Sequence, residues 1–381
     1  MASLYLDNAA TTAVRPEVLE AMLPYWTHAF GNPSSHHEVG EEAARALADA
    51  RARVAEVIGM RAGDVIFTSG GTEGNNLAVK GIAVAARLAR GARHVVTTPL
   101  EHESILESVA ALERVHEFTS TRVPVDAYGR VSPDAVAAAL RDDTALVSVG
   151  YANNEVGTVQ DVAGIVAAAR ERRIPVHLDA VQAAGWLPLA GLGVDALTIA
   201  GHKVGAPKGT GVLAVRGRIP LEPLLHGGGQ ERGRRSGTEN VAGAVGLAAA
   251  LELAEREREE SAARVRALRD AFIARVAALV PTARLTGHPS ARLPASASFT
   301  FAGTSGEAVL LELERRGVVS SSGSACAAGS DEPSHVLIAL GIAPAVAQTA
   351  VRFTFPHDLS ASLDAVADAV AASVAAVHSG P

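Results

Sequence analysis

Between residues 65 and 215, short apolar runs alternate with longer stretches of helical periodicity, and this alternation most narrows what the chain can fold into. Val65-Ile66-Phe67-Thr68, His94–Thr98, Ala145–Val149, Pro175–Leu178, Ala196–Ile199 and Gly211–Val215 each read as strands. Between the first two, helical patterning follows near Asn75–Ala89. Strands that take turns with helices build βαβ units, a mostly parallel sheet with helices on both faces. The expected fold class is therefore α/β. A long helix is predicted from about Val241 to Ala277, and beyond it the texture changes. Ala297–Phe301, a helix near Glu307–Arg316 and a C-terminal helix suggest a smaller α+β body. A chain of 381 residues exceeds one ordinary core. The expected division is a large domain over residues 14–255 and a small domain built from 1–13 and 256–381.

Charge and cysteine content exclude several classes. The net charge of −7 argues against direct binding to nucleic acid, which depends on an excess of Lys and Arg. The alanine-rich runs Val241–Leu251 and Val366–Val377 are too short to span a bilayer, so no membrane association is expected. The first residues lack a basic region followed by an apolar stretch, and Cys326 is the only cysteine. Both features favour a reducing, cytoplasmic setting. Nothing in the sequence calls for a metal. The charge run Glu252–Glu260 continues a helical pattern and reads as a solvated face.

Ligands on parallel sheets bind beyond the carboxyl ends of the strands, so the residues following each strand carry the most information. After the first strand, Gly70-Gly71-Thr72 opens a helix, a seat for phosphate or simply a helix start. After the second comes His102, an acid/base group, an aromatic plate or an ordinary surface histidine. After the fourth comes Asp179, which can cap a helix or hold a protonated pyridine nitrogen. After the fifth comes Lys203, a solvated lysine or one able to capture an aldehyde. A phosphate seat, a ring plate, a carboxylate and a lysine in this order on one sheet edge point to pyridoxal 5'-phosphate. Cys326 stands apart, within Ser320-Ser321-Ser322-Gly323-Ser324-Ala325-Cys326-Ala327-Ala328-Gly329-Ser330, a run of small residues that reads as an exposed loop.

These residues resemble the NifS/IscS-type cysteine desulfurases, of the class V aminotransferase group of fold-type I pyridoxal-phosphate enzymes. The resemblance rests on Tyr5-Leu6-Asp7-Asn8-Ala9-Ala10-Thr11-Thr12, Gly31-Asn32-Pro33-Ser34-Ser35 and Phe67-Thr68-Ser69-Gly70-Gly71-Thr72-Glu73. It continues through Asn153-Asn154-Glu155-Val156-Gly157, His177-Leu178-Asp179-Ala180-Val181-Gln182, His202-Lys203, Gly227–Glu231, Arg235–Asn240 and Ser322–Cys326. It implies that Lys203 is the Schiff-base lysine and proton shuttle, and that Asp179 holds the pyridine nitrogen. His102 would stack on the ring and assist proton transfer, and Gln182 would contact the ring hydroxyl. Gly71, Thr72 and His202 would bind phosphate, as would Thr238 supplied by the partner of a homodimer. Asn154 and Arg352 would hold the substrate carboxylate, and Cys326 would be the nucleophile. The implied reaction converts L-cysteine to L-alanine and leaves sulfur on Cys326 as a persulfide for a protein acceptor. Iron–sulfur assembly, tRNA thiolation, cofactor sulfuration and DNA phosphorothioation all begin with such a persulfide.

The chain departs from that pattern in places. Ala200 stands where the family usually has a serine, and Gly205-Ala206 replaces an aromatic residue and a glycine. One hydroxyl contact to phosphate is therefore expected to be missing. The alternatives are a selenocysteine lyase, which need not use a nucleophilic thiol, and a weakly active sulfur-pathway scaffold.

Overall fold

The computed structural model describes residues 3–322 and 332–378. Its strands, in chain order, are β1 (Leu4–Tyr5), β2 (Val65–Thr68), β3 (His94–Thr97), β4 (Thr119–Arg122), β5 (Thr144–Gly150) and β6 (Val176–Asp179). They continue as β7 (Ala196–Ala200), β8 (Gly211–Val215), β9 (Ala283–Leu285), β10 (Ser296–Phe301), β11 (Val318–Val319) and β12 (Ala350–Thr354).

Seven strands form one sheet in the order β2-β8-β7-β6-β5-β3-β4. Only β8 runs against its neighbours. Side chains alternate between the two faces of a strand, and here both faces are covered. Val212 and Ala214 join a core shared with helices 38–58, 162–171 and the start of 241–279, whereas Leu213 and Val215 join a second core with helices 82–90 and 103–116. Such double burial is why the strands read as continuous apolar runs. Within this sheet the strand missed by sequence is β4, Thr119-Ser120-Thr121-Arg122, an edge strand with no apolar residue; outside it β1, β9, β11 and β12 were missed too.

A second body surrounds the three-stranded antiparallel sheet β12-β10-β9. Phe272 meets Phe299, Phe353 and Phe355 edge-on at centroid distances of 6.1, 5.2 and 5.6 Å. The helix Val241–Leu279 supplies both bodies: Val241–Ala254 packs on the large sheet, and Val265, Phe272 and Val276 pack on the small one. The N-terminal segment joins the second body. Leu4 and Tyr5 pair in parallel with Val318 and Val319, Asp7 bridges to Thr354, and Leu6 lies in the phenylalanine core. Among the described residues no helix is long and apolar enough to cross a membrane.

Candidate active site

The carboxyl ends of β2, β3, β5, β6 and β7 open onto a cavity of about 590 Å³. That volume lies within the usual range for a small-molecule site. Gly71, Thr72, His102, Asn154, Asp179, Gln182, His202, Lys203 and Arg352 all line it, so most of the residues expected from sequence meet in one place. Thr238 does not line it. It is exposed on a loop tied to the start of the helix at Gly71 by Arg235, whose Nε donates to Glu73 Oε1 at 2.8 Å. Burial works to raise the Glu73 pKa, but Arg235 and the Ser69 amide outweigh it and hold the carboxyl below its ordinary value. Cys326 lies outside the described residues.

The floor beside the first helix is shaped by glycine. Gly70 has φ of 153°, a backbone state that side chains resist. A Cβ on Gly71 would lie 2.9 Å from Val181 Cγ2 and 3.3 Å from Ala200 Cβ, so the cavity wall there has no room for one. Ala200 is 1% exposed and also lines the cavity. Gly205 takes φ of 84°, which suits glycine at that departure from the family pattern.

Asp179 ends β6. Its Oδ1 accepts the Val181 amide at 2.9 Å, and its Oδ2 accepts from Asn75 Nδ2 at 2.7 Å. The same Asn75 amide group donates to Ser104 Oγ at 2.9 Å. His102 precedes the helix Glu103–His116, and its Nδ1 accepts the Ser104 amide at 3.0 Å. That bond leaves the proton of the neutral ring on Nε2. His102 therefore caps a helix and faces the cavity at once. Asn75 was not singled out by sequence; an asparagine inside a helical pattern gives no sign of its partner.

The N-terminal segment crosses the site. Lys203 Nζ donates to the carbonyls of Ala9 and Ala10, the latter at 2.7 Å, and Gln182 Nε2 donates to Ala9 O at 3.0 Å. Thr12 Oγ1 donates to His202 O at 3.0 Å, and the His202 ring contacts Thr11 Oγ1 at 3.2 Å. Burial, aided by the charges of Lys203 and Lys208, pushes the His202 pKa down to about 4, so the ring is neutral at pH 7.

Two carboxyls in the wall also escaped the sequence. Glu101 is 5% exposed and accepts from Thr98 Oγ1 at 2.7 Å. Burial, with the nearby Asp179 charge adding to it, pushes its pKa up to about 8 against the pull of the hydrogen bonds. Glu155, likewise buried, accepts from Ser334 Oγ; loss of solvent is again the main cause of a raised pKa.

An amine, a fixed carboxylate, a neutral imidazole and a glycine-floored recess are the donor set pyridoxal 5'-phosphate requires. The observation that tests the fit is the wall at Gly71, together with Asp179 held at both oxygens so that it faces the same cavity as Lys203. The residues fit the group.

Comparison with known proteins agrees. The sequence profile described as aminotransferase class-V matches residues 4–362. The chain is 47% identical over 342 residues to cysteine desulfurase IscS of Methanosarcina thermophila, covering 89% of this chain and 84% of that one. It is 45% identical to the IscS-like cysteine desulfurase of Mycobacterium tuberculosis, covering 97% of this chain and 96% of the relative. A solved NifS-like protein superposes with a TM-score of 0.88 at 34% identity, covering 99% and 98% of the two chains. Sequence, fold and the residues gathered at the sheet edge lead to one conclusion: this chain belongs to the class-V aminotransferase family.

Proposed function

We propose that the protein is a pyridoxal-phosphate-dependent cysteine desulfurase that converts L-cysteine to L-alanine and loads the sulfur onto Cys326. The observation that carries this reading is the meeting of Lys203, Asp179, His102 and Arg352 in one cavity. It is supported by the desulfurase names of relatives matched over most of the chain.

When bound, the cofactor supplies an aldehyde that captures the substrate amine and a pyridinium ring that withdraws electrons from the substrate α-carbon. Asp179 would hold the pyridine N–H, Gln182 the ring hydroxyl, and Gly71, Thr72 and neutral His202 the phosphate. Arg352 and Asn154 hold the α-carboxylate; the planar guanidinium suits that fork better than a lysine would. Lys203 Nζ takes the proton from the α-carbon and returns it later, and His102 assists proton transfer. The Cys326 thiolate then attacks the substrate sulfur. One S–S bond forms, the Cβ–S bond breaks, and a proton completes the alanine methyl group. The atoms balance: L-cysteine and a thiol become L-alanine and a persulfide. A thiol titrates near ~8.5, so a neighbouring base has to take its proton first.

In this reading Thr238 completes the phosphate site of a second subunit, which accounts for its exposure here. Leu19, Leu23, Trp26 and Phe30 are 50–70% exposed along helices 16–22 and 24–27 and the turn after them, an apolar surface suited to such a homodimer. The domain division at residues 13/14 and 255/256, the cytoplasmic location and a protein acceptor for the persulfide belong to the same proposal.

The test is release of alanine and sulfide from L-cysteine with a thiol reductant, wild type against Cys326→Ser. Turnover in the wild type, with a coloured but sulfide-silent variant, supports the mechanism. Equal turnover in both removes Cys326 from the nucleophile's role.

A further inference from the structure

Arg352 meets the cavity already engaged. Its side chain is 2% exposed; Nη1 donates to the Asn154 carbonyl at 3.0 Å, and Nη2 donates to Asp7 Oδ1 at 2.6 Å. Among the described residues the buried Nε has no hydrogen-bond partner. Asp7, whose side chain is 16% exposed, is itself held in place. It bridges to Thr354, two residues beyond Arg352 on β12, and the Tyr5 hydroxyl donates to its carbonyl at 2.9 Å.

A buried guanidinium with no anion beside it is costly. A planar fork also recognises a carboxylate only when its plane is fixed. Asp7 meets both needs: it balances the charge and, together with the Asn154 carbonyl on Nη1, fixes the plane of the guanidinium. Without it, Arg352 would lose its carboxylate partner, held only by the Asn154 carbonyl and open to any anion that enters.

We propose that Asp7 is the positioning residue that orients Arg352 for the substrate's α-carboxylate. The inference rests on the reading that Arg352 anchors that carboxylate.

The holoenzyme carrying Asp7→Asn tests it, because the amide keeps the shape and removes the charge. Three quantities are read: kcat and KM for L-cysteine, the calorimetric Kd for L-alanine, and inhibition by cysteamine, which has the amine and thiol but no carboxylate. Both KM and the L-alanine Kd are expected to rise by about tenfold or more, as for a broken buried charge pair. The fall in kcat is expected to be much smaller, and cysteamine inhibition to stay as in the wild type. Asp7→Glu, which keeps the charge on a longer arm, should recover part of the loss. Equal weakening toward cysteamine and L-alanine, or a fall in kcat at constant KM, overturns the proposal. If Asp7→Asn does not fold, Asp7→Glu alone must weaken L-alanine more than cysteamine; equal effects overturn it. Arg352→Lys separates the two layers. An unchanged L-alanine Kd in that variant removes the carboxylate reading itself, whereas weakening there with none in Asp7→Asn removes only the role of Asp7.

Discussion

Replacing Glu101 with glutamine deletes one ionisable group from the cavity wall and keeps its shape. Glu101 is 5% exposed, and its pKa rises from 4.5 to about 8, chiefly through loss of solvent. Each pKa unit is worth about 1.4 kcal/mol, so the full gap amounts to about 5 kcal/mol. The sign follows from which state holds the proton more tightly. The folded protein does, so the side chain's contribution is fully present below pH 4.5 and is lost as the pH rises through about 8. Glutamine does not titrate. The stability of Glu101→Gln relative to wild type should therefore climb by about 1.4 kcal/mol per pH unit between pH 5 and pH 8, then level off. Urea unfolding of both cofactor-free proteins at matched pH values, followed by tryptophan fluorescence, gives that difference while other titrating groups cancel. Parallel pH profiles for the two proteins would refute the argument and place Glu101 in a far wetter setting than its burial implies.

Lys203→Ala should abolish turnover, and borohydride should then fix the cofactor to the wild type but not to the variant, as read by mass spectrometry. Ala200→Ser restores the hydroxyl that the family usually carries beside the phosphate seat. Because Ala200 is 1% exposed, an unsatisfied hydroxyl there should destabilise the cofactor-free protein by about 1–3 kcal/mol, while cofactor retention on dialysis improves. Gly71→Ala forces a methyl to within 2.9 Å of Val181 Cγ2. It should cost about 1–3 kcal/mol and release cofactor faster, whereas Gly63→Ala, with nothing within 4 Å of its new methyl, should do neither.

The large sheet was legible because doubly buried strands leave unbroken apolar runs, and β2 and β8 fall where Val65–Thr68 and Gly211–Val215 predicted them. β4 was not, since an edge strand of Thr, Ser and Arg carries no hydrophobic signal. The first helix of the site begins at Gly71, where Gly70-Gly71-Thr72 reads as opening it, and passes through a wide turn at Leu77–Gly81 before Ile82–Arg90. Side chains that follow strands directly, such as Asp179 and His102, could be read from their position. Partners arriving from remote elements could not. Asn75 on Asp179, Asp7 on Arg352 and the Ala9 and Ala10 carbonyls on Lys203 depend on tertiary placement, and a main-chain carbonyl has no identity in a sequence.

The pairing of the N-terminal segment with β11 and β12 has a consequence for the order of assembly in the cell. Asp7 and Arg352 lie 345 positions apart. At ribosomal rates of about 5–20 residues per second, the first strand waits on the order of tens of seconds for its partners. Until then the segment carrying Ala9 and Ala10 is held near Lys203 only from the large body, through contacts such as Thr12 on His202, without its bonds to Val319 and Thr354. The large sheet can form during synthesis, but the cavity gains Arg352 only after β12 emerges, so the substrate-binding side of the cavity is completed on a nearly finished chain.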